Sequence, residues 1–258
     1  MSVADGAPGA LGPRSGSGSQ SVERALAVLD CLARSRGELG VSGVAAQTGL
    51  TISTAHRLVR TLVDAGLLGQ DDRTSRYHLG PTLVALGRRA EAVLGFDRLE
   101  PALRALSART GESVAVGTRV GSEVLVALHL PSAPGLPEEQ PAGSRLPMHT
   151  SALGRALLAF AEDPAGAVAG LGPAGGPGPS TPALLEDLAV ARRRGWATND
   201  ADHAAGVRAI GVPLLRADGR PVAAIAVQGP EARITDERVA DLAGDLMRTA
   251  AAMTGTSY

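Results

Sequence analysis

"GLTISTAHRLVRTLVDAGLL" occupies Gly49–Leu68 and decides how the first third of the chain is read. At about 100° per residue, Ile52, Ala55, Leu58, Val59, Leu62 and Val63 share one side of a helix. Arg57 points nearly opposite the centre of that stripe. Ser53 and Arg60 lie beside it on one flank, Thr54 and Thr61 on the other, and His56 sits at the edge of the apolar face. Thr51 is placed to cap the first turn, and Gly66 to end the helix. The face turned from the core therefore opens with short hydroxyls and continues with arginines.

On the upstream side, Ala25, Leu26, Val28, Leu29 and Leu32 recur at helical spacing between Ser21 and Ser35, with Ser21 as cap and Gly37 as stop. A short helix, "SGVAAQTG", follows, with Ser42 as cap and Gly49 as its end. On the downstream side, "LLGQDDRTSRYHLG" reads as a β-hairpin with a polar Asp71–Ser75 tip. Three helices and a hairpin over residues 21–80 are the layout of a winged helix-turn-helix. Small residues at a helix start allow close approach to base edges, and the positive end of the helix favours phosphate. Arginine can fork onto guanine O6 and N7 or hold a phosphate. The candidate DNA contacts are Thr51, Ser53, Thr54, His56, Arg57, Arg60 and Thr61, with Arg73 and Arg76 on the hairpin reaching backbone or minor groove. His56 is expected to pack or to touch phosphate rather than to read a base. A plain solvated face is the alternative for the helix alone; the ordered set of helices and basic hairpin favours double-stranded DNA.

Bulk composition supports this order. The chain has 258 residues, a net charge of −1 and 44% hydrophobic residues. Residues 21–90 hold nine arginines against six acids (+3), and residues 91–258 hold fifteen against nineteen (−4). A polyanion is therefore met at the front of the chain. Residues 1–20 are rich in Gly, Ser, Pro and Ala with no apolar secretory core, and are expected to form a disordered arm. No apolar run is long enough for a bilayer, so no membrane partner is expected, and the expected location is the cytoplasm. The single cysteine, Cys31, excludes an internal disulfide and a multi-thiolate metal site, and reads as a small buried thiol.

"PTLVALGRRAEAVLGF" reads as a linker helix over 81–96, with Pro81 in its first turn and exposed Arg88 and Arg89. Residues 97–258 mix element types. "FDRLEPALRALSARTG" is helical, "SVAVGTRVGSEVLVALHL" is a hairpin turning at Gly121-Ser122, and "LPMHTSALGRALLAFAED" is an extended entry into a helix. Asp163–Ser180 reads as a Pro/Gly loop. "TPALLEDLAVARRRG" is a helix with Thr181 as cap and Gly195 as stop, the Arg192–Arg194 run suiting its negative end. A hairpin turning at Asp218-Gly219 and an amphipathic helix finish the chain. The whole is α+β, a winged helix-turn-helix followed by a sensor-like α/β domain.

An enzyme is the rival reading, a metabolite-processing domain fused to a DNA-binding module. His149, Ser151, Asp200 and His203 could form an acid–base set, and His129, His149 and His203 a metal site. Their spacing matches no nucleophile elbow, metal signature or phosphate loop, and hydroxyls commonly cap at positions like Ser151. No catalytic residue, metal or cofactor is assigned.

Four stretches in order, "SVERALAVLDCLA", "GLTISTAHRLVRTLVDAGLL", "LPMHTSALGRALLA" and "RRGWATNDADHAAGVRAIGVPLLRADGRPVAAIAVQGPEARIT", make the chain resemble the IclR family of bacterial transcriptional regulators from about Ser21 to its end. The resemblance implies a GAF-like effector domain over 97–258 that binds a small organic acid or aromatic metabolite, and a homodimer or homotetramer on near-palindromic operators, with repression the expected sign. By position it implies an effector pocket lined by Leu146, Ala152 and Leu153, by Asn199 and Asp200, and by Val207, Ala209, Ala226 and Gln228. The chain departs from the family's frequent Ser-x-Ser-Gly at Ala226-Val227-Gln228-Gly229. It also carries Arg155 where lysine is common and Leu153 where a smaller residue is common.

Overall fold

The computed structural model describes residues 19–35, 37–132, 140–172, 178–199 and 206–253. Two compact units divide the chain, Met1–Leu94 and Gly95–Tyr258. The expected arm lies almost wholly outside the described residues.

In the first unit, α1 (Gln20–Arg34), α2 (Val41–Thr48) and α3 (Ile52–Asp64) precede a hairpin of β1 (Leu68–Gln70) and β2 (Tyr77–Leu79) and then α4 (Pro81–Leu94). Val28, Leu32, Val44, Ala55, Val59, Leu62, Leu68 and Tyr77 interlock as its core. The hairpin pairs Leu68 with Leu79 and Gln70 with Tyr77, and Leu39 bridges Tyr77 as a further edge. Gly49, at φ +69°, lets the chain reverse between α2 and α3 at a position where a side chain would strain the backbone. Cys31 is buried, donates to Gln47 Oε1 at 3.3 Å, and has its thiol pKa raised by burial and by the charge of Asp30.

Some helix starts differ from the sequence reading. The first helix is entered from Ser19, not Ser21, and the second from Gly40, not Ser42. The last residue in extended conformation takes the cap position, and a hydroxyl further along is already helical. By the same logic Ser180, at φ −62° and ψ 153°, accepts from Ala183 N in place of Thr181. The first helix closes at Ser35, before Gly37. The linker helix ends at Leu94, Gly95 breaks it at φ +70°, and Phe96 opens the next helix and is buried.

In the second unit, six strands form one antiparallel sheet in the order β5-β4-β3-β8-β7-β6. They are β3 (Ser113–Val120), β4 (Glu123–Leu130), β5 (Arg145–Pro147), β6 (Ala197–Thr198), β7 (Val207–Leu215) and β8 (Pro221–Pro230). Alternation along each strand sends two different side-chain sets to the two faces. Val114, Val116, Ile210, Val212, Ile225 and Val227 pack under α5 (Phe96–Thr110) and α9 (Asp236–Met253). Ala115, Val124, Val126, Ala224 and Ala226 face α6 (Ala152–Ala159), α7 (Pro164–Ala169) and α8 (Thr181–Arg194). The α7 helix stands where a loop was expected, because Asp163 accepts from Gly166 N and Pro164 fits the first turn. Small residues on the second face let α6 lie close to the sheet. A Cβ at Gly211 would collide with the Ala152 carbonyl at the start of α6.

Candidate nucleic-acid interface and effector site

Thr51 caps α3: its Oγ1 accepts from Thr54 N at 3.3 Å and donates to Thr54 Oγ1 at 2.9 Å, with Ser53 Oγ at 3.2 Å. Thr61 Oγ1 donates to the Arg57 carbonyl at 3.0 Å. Thr51, Ser53, His56, Arg57, Arg60 and Thr61 are exposed, and Thr54 is half-buried. His56 therefore does not pack into the core. Ile52, placed in the buried stripe by the helical wheel, is 58% exposed. The stripe is sound from Ala55 to Leu62, but its N-terminal end overhangs the small core. Among the described residues no partner is recorded for the guanidinium groups of Arg57 and Arg60.

On the hairpin, the Asp71 carboxylate gathers Thr74 N at 2.7 Å, the Thr74 hydroxyl at 3.1 Å and Arg73 N at 2.9 Å. These bonds hold its pKa below the usual carboxylate range. The Arg73 side chain stands exposed on this turn, whereas Arg76 is tethered, donating to the Glu38 carbonyl at 3.4 Å.

A narrow hollow of about 10 Å³, room for about one water molecule, lies in the second unit between β8, β7 and the start of α6. Leu146, Ala152, Leu153, Asn199, Ala209, Ala226 and Gln228 line it. Gln140, which the sequence reading did not single out, and Ser151, read there only as a cap or an acid–base candidate, complete the lining. Asp200 lies outside the described residues. Val207 stands aside from the hollow, and its carbonyl accepts from Asn199 Nδ2 at 3.5 Å. Asn199 Oδ1 accepts from Ala209 N at 2.7 Å, so this amide ties the sheet edge. Ser151 Oγ donates to the Pro147 carbonyl at 2.7 Å and accepts from Gly154 N at 3.1 Å. That leaves Gln228 and Gln140, 6% and 8% exposed, as lining side chains with no hydrogen-bond partner among the described residues. Neither amide is wholly cut off from solvent, and a ligand entering the hollow would find both available. Nothing in the sequence around Gln140 pointed to it: it follows a Pro-rich stretch with no periodicity.

A larger space, about 100 Å³, opens beside α8 and is walled by Arg155, Asp187, Arg194 and Thr198 among others. It shares no residue with the first hollow. In the smaller one, polar groups converge on an apolar floor.

His203 lies outside the described residues, and Arg155, Arg192 and Arg194 make structural contacts. Arg155 is buried and donates to the carbonyls of His149 and Thr198, both at 2.9 Å. Burial, and then Arg155 beside it, push the His149 pKa down. In the arginine run, Arg192 donates to the carbonyls of Ala159 and Ala161 after α6, and Arg194 stacks 3.4 Å over the Trp196 ring. Their partners are thus specific groups, beyond the negative end of their own helix. A buried carboxylate that the sequence reading missed, Glu112, accepts from Arg233 Nε at 3.1 Å and Nη2 at 2.6 Å and from Arg238 Nη1 at 3.3 Å. Among the described residues no group of three His, Cys, Asp or Glu is arranged to hold a metal ion, and no helix is long and apolar enough to cross a membrane.

Residues 96–254 match the family model of the bacterial transcriptional regulator IclR C-terminal domain, and residues 21–72 match the IclR helix-turn-helix domain. The chain belongs to the IclR family of transcriptional regulators. Across 95% of its length it is 33% identical to the HTH-type transcriptional repressor AllR of Escherichia coli (strain K12), covering 93% of that protein. It is 31% identical to the HTH-type transcriptional regulator BhcR of Paracoccus denitrificans (strain Pd 1222), with 95% and 90% of the two chains covered. Its fold matches that of an IclR homolog complexed with 4-hydroxybenzoate from Microbacterium hydrocarbonoxydans, with a TM-score of 0.72, 26% identity and 90% and 99% of the two chains covered. This IclR-family chain is a DNA-binding regulator with a C-terminal effector-binding domain of GAF-like α/β fold, and not an enzyme.

Proposed function

We propose that the chain is a cytoplasmic, effector-responsive repressor. Residues 21–80 read double-stranded operator DNA, 81–96 link, and 97–258 sense a small organic acid or aromatic metabolite. The unpartnered amide of Gln228 in an apolar-lined hollow, at a position the family uses for its pocket, carries the effector assignment. The outward face of α3, with Thr51, Ser53, Thr54, His56, Arg57, Arg60 and Thr61, and the hairpin with Arg73 and Arg76, is the DNA surface. Leu146, Ala152, Leu153, Asn199, Ala209, Ala226, Gln228 and the added Gln140 and Ser151 form the pocket, with Val207 flanking it, and Asp200 keeps the pocket role that the family resemblance implies. Repression is supported by likeness to AllR, named a repressor. An aromatic or small acid is supported by the homolog complexed with 4-hydroxybenzoate.

The regulator works as a homodimer or homotetramer. One α3 serves one groove, and two half-sites about a turn apart need two copies. The exposed Val22 and Leu26 of α1, and Val84, Leu86 and Val93 of α4, supply apolar surface for that contact. Light scattering of the full chain should give at least a dimer; a monomer at micromolar concentration, with and without DNA, refutes this. Linkage makes the sensing reading testable. A metabolite that alters operator affinity by some factor must have its own affinity altered by the same factor. Thermal-shift screening of the full chain against small organic and aromatic acids should find a ligand that stabilises by mass action, returns unchanged, and shifts binding to DNA selected from a random pool. A ligand that is turned over refutes the sensor reading.

A further inference from the structure

Ile52 is exposed where the hydrophobic pattern expects burial, and its neighbours show why that matters. The exposed residues of α3 fall in two ridges at i, i+4 spacing: Ile52, His56, Arg60 and Asp64 in one, and Ser53, Arg57 and Thr61 in the next. Ile52 thus stands at the leading end of the ridge that carries His56 and Arg60, about 140° round the helix from Arg57. It is the one large hydrophobic of α3 that the described residues leave exposed. The hydroxyls around it are already engaged. Thr51 Oγ1 is shared with Thr54 N, Thr54 Oγ1 and Ser53 Oγ, and Thr61 Oγ1 donates to the Arg57 carbonyl. The leading turn thus offers outward an aliphatic side chain beside partly engaged hydroxyls, with His56, Arg57 and Arg60 behind it.

A lone exposed aliphatic residue is ordinary on a protein surface. One at the leading end of a recognition helix is not, because that end goes deepest into the major groove. The apolar feature there is the C5-methyl group of thymine, which marks T against the other bases. We propose that Ile52 reads a thymine methyl group in each half-site, as a specificity-determining residue beside the arginines. The inference rests on α3 being the DNA-reading helix.

The test uses the full chain and the duplexes it selects from a random pool. Each thymine of the half-site is replaced in turn by uracil, which removes only the methyl group. Affinities are then measured for the wild type, Ile52→Ala and Arg57→Ala. At one thymine per half-site, uracil should weaken the wild type about fourfold, the worth of one methyl group kept from water. Ile52→Ala should bind thymine and uracil duplexes equally at that position, and Ile52→Val should keep part of the difference. Ile52 lies outside the core, so its variants should melt with the wild type. The proposal is overturned if every uracil substitution costs both proteins the same, or if the selected half-site has no thymine. Arg57→Ala separates the two levels. If it weakens binding while Ile52 shows no coupling to a methyl group, only the thymine reading fails. If it binds like the wild type, α3 is not the reader and both readings fail.

Discussion

Replacing Gln228 by leucine should make the effector-free regulator more stable and less responsive at once. The amide is 6% exposed, lines the hollow beside Ala226, Ala209 and Leu146, and finds no hydrogen-bond partner among the described residues. A buried polar group left unpaired costs about 1–3 kcal/mol. Leucine has similar bulk and no polar atom, and the Gln228 amide keeps some access to solvent, so Gln228→Leu should gain about 0.5–1 kcal/mol without effector. At about 2–4 °C per kcal/mol for a domain of this size, the gain is visible by calorimetry. With effector the sign reverses. The ligand loses one net hydrogen bond, about 0.5–1.5 kcal/mol or roughly two- to tenfold in affinity. The assay is paired melting of wild type and variant, alone and with a ligand found by screening, together with effector-free operator affinity. That affinity should be unchanged. The reasoning is refuted if the variant melts at or below the wild type and its ligand-induced shift is undiminished. A loss of DNA binding without a loss of ligand binding would refute the pocket assignment.

Arg57→Ala should weaken operator binding without altering thermal stability, since the guanidinium has no recorded partner among the described residues. A base contact would appear as about 1–3 kcal/mol of lost discrimination, and a phosphate contact as a salt slope lower by about one unit on all sequences; operator and scrambled duplexes titrated across salt distinguish them. Glu112→Ala removes a 2%-exposed carboxylate shared by Arg233 and Arg238, whose side chains are 38% and 42% exposed. Because both arginines can regain water, urea unfolding should show a loss nearer about 2–3 kcal/mol than the upper end seen for broken buried pairs. Asp71 has a lowered folded pKa, so its contribution to the hairpin is complete above the ordinary carboxylate range and fades only as pH falls through that lowered value. Amide exchange at Thr74 should stay slow until then, and Asp71→Asn should abolish the dependence.

Local chemistry made much of this protein legible without coordinates. The α3 cap at Thr51, the reversal at Gly49, the Asp71–Ser75 turn and the stops at Gly111 and Gly195 each depend on a residue and its immediate neighbours. Strand parity likewise put Ala226 and Gln228 on one face together. What escaped depends on contacts distant in sequence. The wheel could not tell that the core ends at Ala55 and leaves Ile52 outside, because periodicity gives direction and not the extent of the neighbour. Gln140 reaches the hollow only because its segment returns beside the sheet, 88 positions ahead of Gln228 in the chain. Glu112 meets Arg233 and Arg238 across separations of 121 and 126 residues. Its burial is tolerable only because the fold brings those two cations to it.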